Sequence, residues 1–261
     1  MRIAVFDNIK AEQKKDAISL LVTHSTRFQD FLLMLILSLI MATIGLLMNN
    51  VAIIIGSMLI APVLYPIMGI SMGIVIVDKK MIFRSIQTFA QMSFLGVVTA
   101  IVVTLFMYAP GMETGLELTP ELLLRIRPHI SDIAIAIVAG LAASFALVKP
   151  SLNATLPGVA ISVALVPPLA VVGIGIATLN LHITSGALSI FLLNTLGILV
   201  ASVVTFSIMN FYAKRDIVKV EIKKEDQALE KELNGRPNTP TAKQKNNIKK
   251  KSALAQKGKK P

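Results

Sequence analysis

The sequence predicts an all-α fold: a polytopic transmembrane bundle of about six helices, arranged as two inverted halves of three. Hydrophobic residues make up 54% of the 261 positions and charged residues only 16%, whereas a soluble domain carries about 25% charge. The apolar residues are concentrated in long blocks between Phe31 and Tyr212. Paired prolines interrupt the second and fifth blocks at equivalent places, which predicts the inverted repeat.

Each long apolar block is predicted to be one helical span. A helix needs about 20 mostly apolar residues to cross the hydrocarbon core, and backbone exposed to lipid must satisfy its own N–H and C=O groups. A very apolar soluble helical core is the alternative, but soluble helices keep a polar stripe that these blocks lack. The predicted spans are Phe31–Met48, Val51–Val77, Phe89–Tyr108, Ile133–Val148, Leu156–Leu179 and Ala187–Phe211.

The distribution of Lys and Arg predicts a multi-pass protein with both termini in the cytoplasm, because short cytoplasmic loops are enriched in these residues. Basic residues precede span one and follow spans two, four and six, whereas only Arg125 and Arg127 break the rule on the outer side. We therefore expect a cytoplasmic N-terminal segment (1–28), a six-helix membrane domain (29–212) and a cytoplasmic tail (213–261). Thr119-Pro120-Glu121 predicts the start of a short helix in the outer loop, and residues 9–22 predict an N-terminal helix on the inner surface.

The tail carries most of the net charge of +11. From Lys214 onward there are fifteen Lys or Arg residues against six Asp or Glu residues, and few bulky apolar residues accompany them, which predicts disorder. Attraction to anionic lipids of the cytoplasmic leaflet is one interpretation, and a solvated tail that only strengthens the topology signal is the other. No nucleic-acid partner is expected, because the tail has neither interleaved aromatic residues nor a folded module.

The two halves resemble each other in two places. Leu95-Gly96-x-x-x-Ala100-x-Val-Val-Thr104 in span three aligns with Leu196-Gly197-x-x-x-Ala201-x-Val-Val-Thr205 in span six. Spans two and five both contain a serine five residues before the first of two prolines. Because each half would hold three spans, the second half enters the membrane from the opposite side.

The prolines predict a polar site inside the membrane. Proline removes a backbone donor and clashes with the carbonyl four residues earlier, and carbonyls freed in this way cannot face lipid. A cation could bind those carbonyls, and an anion could bind the N–H groups of the half-helix that follows. Proline kinks packed against neighbouring helices, without a ligand, are the alternative. The candidate transport-path residues are Ser57, Pro62, Pro66, Gly69, Ser162, Pro167, Pro168, Gly173 and Asn194.

Other polar residues suggest neither catalysis nor a cofactor. Ser57 and Ser162 have no histidine or carboxylate in their own spans, so no enzyme is expected. The three histidines lack partners at metal-ligand spacing, and the chain has no cysteine, so no metal or other cofactor is expected. No carboxylate or histidine lies deep in a span, which argues against proton coupling. Glycine pairs such as Gly69-x-x-x-Gly73 indicate close helix packing, within the monomer or in a homo-oligomer.

Two motifs resemble a known family. Ile55-Gly-Ser57-Met-Leu-Ile-Ala-Pro62, followed by Pro66-Ile-Met-Gly69, is similar to its first signature, and Pro157–Gly173 with its Pro-Pro pair is similar to its second. The family is that of the uncharacterised hydrophobic-domain proteins of bacteria and archaea, domain of unknown function 389. The resemblance covers about Val51 to Thr205 and implies a prokaryotic plasma-membrane protein, without implying a substrate.

Two functions remain open from the sequence. The first is a transporter or channel for a small solute or ion that passes between spans two and five. The second is a non-transporting membrane scaffold, oligomeric through its glycine faces. A water-filled cavity that reaches both proline breaks would favour the first, and dry, close-packed helices there would favour the second.

Overall fold

A computed structural model describes residues 11–26, 28–61, 63–108, 119–148 and 155–211, together with residues 220, 222 and 227. The described residues form helices and no strands, and these helices belong to one unit, Met1–Glu221. They are α1 (Ala11–Thr26), α2 (Phe28–Leu47), α3 (Val51–Ile60), α4 (Leu64–Ile76), α5 (Lys79–Met107), α6 (Pro120–Leu123), α7 (Ile130–Val148), α8 (Thr155–Ala177) and α9 (Leu181–Ile208). Pro62, most of the outer loop and nearly all of the basic tail lie outside the described residues.

Three described helices are each long and apolar enough to cross a membrane: α5, α7 and α9. Helices α3 and α4 together make a fourth such segment, bent by 53° at the break between them. Two shorter apolar stretches, Leu32–Leu47 in α2 and Ala164–Ala177 in α8, complete the apolar helices. The all-helical, membrane-type fold that the sequence predicts is therefore present, with three to four helices that qualify as spans by length and composition.

Two features of the predicted helices are corrected. Span five is not broken, because α8 continues as one helix through Pro167 and Pro168, so only the second apolar block is interrupted. Helices α5 and α9 also begin earlier than hydropathy indicates, at Lys79 and Leu181. Asp78 and Asn180 cap these helices with their side chains, which lets the first turns form in more polar sequence.

Helix α1 packs on the membrane-type helices. Ala17, Ile18, Leu21 and Val22 are buried, and the helix lies against α4, α5 and α7. The ammonium group of Lys14 donates to the carbonyl of Met209, at the end of α9, where the helix dipole favours a cation. The N-terminal helix predicted from the sequence therefore exists, and it lies at the same end of the bundle as the C-terminus of α9.

Three tight turns join consecutive helices in the same way: α2 to α3, α4 to α5, and α8 to α9. In each, a glycine is followed four residues later by a residue with positive φ and five residues later by an Asn or Asp that caps the next helix. The cap residue's N–H donates to the glycine carbonyl, at 2.8 Å for Asn50 and Gly45, 3.0 Å for Asp78 and Gly73, and 2.9 Å for Asn180 and Gly175. This pattern is a Schellman C-cap fused to an N-cap.

Val77 occupies the positive-φ position of the second turn, with φ 60°. A β-branched residue is strained in the left-handed region, which costs about 1–2 kcal/mol, and the Val77 side chain is 54% exposed, so its removal loses little burial. We expect Val77→Gly to raise the free energy of unfolding by about 0.5–1 kcal/mol, after the flexibility that glycine adds to the unfolded chain is subtracted. Thermal unfolding in detergent measures the change.

Val75→Gly is the matched control for that substitution. Val75 lies inside α4, where the backbone is helical and glycine is unfavourable. This variant is expected to unfold at a lower temperature than the wild-type protein. If both variants lower the unfolding temperature, the strain assigned to Val77 is absent.

The core is built around α4 and the second half of α8. Ten of the thirteen residues of α4 are buried, and so are residues 164–174 of α8. Helices α2, α3, α5, α7 and α9 surround them and expose large apolar side chains, for example Phe94 at 73% and Val138 at 64%. An apolar surface of this extent is typical of a protein that faces lipid.

Candidate functional site

The break between α3 and α4 leaves the last carbonyls of α3 without intrahelical partners. The hydroxyl of Ser38, on α2, donates to the Ser57 carbonyl at 2.8 Å. The hydroxyl of Ser57 itself donates to the Ile54 carbonyl in its own helix, at 2.6 Å. Ser57 is fully buried, and both its hydroxyl and its carbonyl form hydrogen bonds near the end of α3.

Ser162 connects the break to α8. Its hydroxyl is buried and donates to the carbonyl of Ala61, at 3.0 Å. Ala61 lies immediately before Pro62 and caps the end of α3. The two proline-containing segments predicted from the sequence thus meet, across 101 positions of the chain.

Asn194 performs the corresponding task for α8. In an α-helix the N–H of residue 168 would bond the carbonyl of residue 164, but Pro168 has no N–H. The Asn194 side-chain Nδ2 donates to the Ala164 carbonyl instead, at 2.8 Å. This bond explains how α8 continues through its prolines without leaving that carbonyl unsatisfied.

The other half of the Asn194 amide has no such partner. Asn194 is only 4% exposed, and its Oδ1 has no hydrogen bond to any described residue. An unpaired buried acceptor costs about 1–3 kcal/mol. Pro167 also has no N–H to give to the carbonyl of residue 163. One buried acceptor near the α8 prolines, Oδ1 of Asn194, therefore has no donor among the described residues.

The remaining candidate residues are packed. Pro66 lies in the first turn of α4, where a missing N–H is tolerated, and it is buried together with Gly69. Gly173 lies against α5, with 2.9 Å between a Cβ built on it and the Val97 carbonyl oxygen. Pro167 and Pro168 are buried in α8. These residues form helix contacts, and Pro62 falls outside the described residues.

A small apolar crevice lies beside the break. Val63 lines it from α4's side, Leu165 and Val166 from α8, and Phe89 and Phe191 from α5 and α9. Its volume of about 10 Å³ holds at most one water molecule. The rings of Phe89 and Phe191 are stacked, with centroids 5.8 Å apart and an interplanar angle of 2°. The described helices are close-packed at this crevice.

Sequence reasoning found the two serines and Asn194 but missed their partners. Ser38 is one of two hydroxyl residues in its apolar span, with Thr43, and its polarity was the available signal. The Ala61 and Ala164 carbonyls carry no side-chain signal, although each lies near a proline. Which helix supplies the missing donor depends on packing, which the sequence does not reveal.

The fold and the site together define a class of protein: an all-helical protein with apolar helices long enough to cross a membrane and with proline-containing segments that meet in its core. The chain matches the family described as Domain of unknown function (DUF389) over residues 58–200. It belongs to that family, as the resemblance indicated.

One relative is the uncharacterized protein MJ0678 of Methanocaldococcus jannaschii. It is 36% identical over 181 residues, which are 69% of this chain and 54% of the relative. The chain thus spans about half the length of this curated relative. No solved structure matches the chain.

Proposed function

We propose that this chain is a six-span transporter or channel of a prokaryotic plasma membrane, for a small cation or a small solute that donates hydrogen bonds. The observation that carries the proposal is the buried, unpaired Oδ1 of Asn194, next to a helix whose prolines remove two backbone donors. Polar groups inside a membrane are costly and mark ion or substrate pathways. Acceptor oxygens suit a cation or a donor-bearing solute.

Corresponding residues support an inverted repeat of spans one to three and four to six. The turn between spans two and three has the same cap pattern as the turn between spans five and six, a pattern that the turn between spans one and two also has. Helix α4 of the first half packs on α9 of the second half, and α8 of the second half packs on α5 of the first. Two halves related by symmetry are expected to make such reciprocal contacts. At these turns, three pairs lie 102 residues apart: Gly73 and Gly175, Val77 and Leu179, and Asp78 and Asn180.

The stacked phenylalanines add a geometric argument. Phe89 lies on α5 and Phe191 on α9, in spans three and six, and their rings stack. The two halves would then meet beside the crevice and the Ala61–Ser162 contact. Transporters with inverted repeats bind substrate where the repeats meet, at the bilayer midplane. In this proposal the described arrangement is an occluded state, in which the path is closed at the crevice.

The orientation follows from charge. The end of the bundle that holds α1, Lys79 and Lys80 would face the cytoplasm, and the end that holds α6 would face outward. Both termini then lie inside. Anionic lipids would be attracted to the basic tail.

Flux through liposomes tests the proposal. Tracer uptake of Na⁺, Rb⁺ and Cl⁻, and glycerol permeation by light scattering, are compared between wild-type, Ser57→Leu, Ser162→Leu and Asn194→Leu proteins. The wild-type protein is expected to conduct at least one of these solutes, and the three variants to lower its flux at least about tenfold, because a leucine blocks the path and removes polar groups. Ser189→Leu is the matched control, since Ser189 is exposed on α9, and it is expected to conduct normally.

A membrane scaffold is the second candidate, and the apolar crevice of about 10 Å³ favours it. In a scaffold, Ser38, Ser162 and Asn194 serve only to satisfy backbone carbonyls. A wild-type flux equal to that of protein-free liposomes for every solute would contradict transport and leave the scaffold. Equal flux in all variants at equal insertion would contradict the proposed path.

A further inference from the structure

A second cavity lies at the end of the bundle opposite α1, well separated from Asn194. It has a volume of about 600 Å³, within the range of small-molecule sites. Helix α6, the turn that follows it and the start of α9 form its walls. The lining residues are Pro120, Leu123, Leu124, Ile126, Arg127, His129, Asn180, His182 and Ile183.

Hydrogen bonds and close contacts hold the walls in place. The Thr119 hydroxyl donates to the Leu46 carbonyl at 2.9 Å, and the Glu121 N–H donates to the Asn49 side chain at 3.3 Å. The turn after α6 is pressed against α9, with the Ile126 side chain 2.7 Å from a Cβ built on Gly186. The short α6 is therefore fixed to both the α2–α3 turn and α9, and the cavity between them is a defined shape.

The two arginines of this region differ in their partners. Arg125 is neutralised by Glu121, with 2.6 Å between Nη1 and Oε2, and it also donates to the Glu121 carbonyl. Arg127 lines the cavity and has no hydrogen bond or salt bridge to a described residue. The Asp132 carboxylate accepts from the backbone N–H of His129 at 2.8 Å and lies 4.0 Å from Nδ1 of the His129 imidazole. The cavity therefore presents a guanidinium that no described residue pairs with, two imidazoles and an apolar wall.

We propose that this cavity binds an oxyanion that is joined to an apolar group. Arg127 would hold the carboxylate or phosphate through paired N–H donors, His129 and His182 would add donors, and Leu123, Leu124 and Ile183 would cover the apolar part. The ligand is a free organic anion or the headgroup of an anionic lipid, since both offer this chemistry. The site does not depend on the transport function.

Calorimetric titration of the purified protein in neutral detergent tests the site with hexanoate, hexyl phosphate and inorganic phosphate. Hexyl phosphate is expected to bind more tightly than inorganic phosphate, because the wall covers its chain. Arg127→Gln is expected to raise its Kd at least about tenfold, since a charge-assisted hydrogen bond is lost. Arg125→Gln removes the same charge two residues away and is expected to change the Kd less than about threefold, because Glu121 already neutralises that guanidinium.

A comparison of two lipids distinguishes a lipid headgroup from a free anion as the ligand. Proteins in nanodiscs with phosphatidylglycerol or phosphatidylcholine are compared by native mass spectrometry. If the wild-type protein and Arg125→Gln retain phosphatidylglycerol but Arg127→Gln loses it, the cavity binds a lipid headgroup. If only the soluble anions bind, the ligand is a free anion. The proposal is overturned if neither the soluble anions nor phosphatidylglycerol binds, or if inorganic phosphate binds as tightly as hexyl phosphate. It is also overturned if Arg127→Gln and Arg125→Gln change the Kd equally while both unfold at the wild-type temperature.

Discussion

Gly173→Ala is expected to lower the free energy of unfolding by about 2–3 kcal/mol. A Cβ at this position would overlap the Ala100 Cβ and lie 2.9 Å from the Val97 carbonyl oxygen and 3.3 Å from the Ala100 carbonyl carbon. Two of these atoms belong to the α5 backbone, so the contact is relieved only if α5 and α8 move apart. Overpacking of this kind typically costs about 1–3 kcal/mol.

Gly56→Ala is the matched control. Gly56 also lies inside a helix, α3, but a Cβ there would meet only the Met41 side chain, at an ordinary 3.5 Å. Alanine is also the better helix former. This variant is expected to unfold at the wild-type temperature or slightly above it. Thermal unfolding of both variants in detergent makes the comparison, and equal effects would mean that α5 and α8 do not cross at Gly173.

The sequence predicted the helices well because their signal is composition. A membrane-type helix is a long apolar block, and the block persists whatever its neighbours are. The limits of α5 and α9 were placed wrongly because Asp78 and Asn180 extend these helices into polar sequence through their caps. The recurring spacing from Gly73 to Asp78 and from Gly175 to Asn180 was present in the sequence and could have located both turns.

The prolines show where sequence reasoning was incomplete. It predicted that both prolines of span five would break the helix, as the segment around Pro62 does. Whether a proline breaks a helix depends on which group supplies the missing donor, and Asn194 supplies it to α8 from another helix. The pairing of Ser162 with Ala61 likewise depends on the way the halves pack. Local sequence identifies the unsatisfied carbonyl, but not the residue that satisfies it.

A double-mutant cycle between Asn194 and Pro168 is expected to show a coupling energy of about 1–2 kcal/mol. In the wild-type background, Asn194→Leu leaves the Ala164 carbonyl unpaired in the core, which costs about 1–3 kcal/mol. In the Pro168→Ala background, the introduced alanine has an N–H that bonds this carbonyl within the helix, so the same substitution should cost much less. The cavity and burial changes at position 194 are common to both backgrounds and cancel.

Pro167→Ala provides the control background for the cycle. The alanine introduced there would supply an N–H to the carbonyl of residue 163, which is not the acceptor that Asn194 contacts, so Asn194→Leu should cost as much there as in the wild type. Chemical unfolding of the six proteins in detergent measures each free energy. A coupling that is absent with Pro168→Ala, or equal for both prolines, would mean that Asn194 does not replace the missing proline donor. Coupling at Pro168 alone would show that a side chain from α9 keeps α8 continuous through its proline pair.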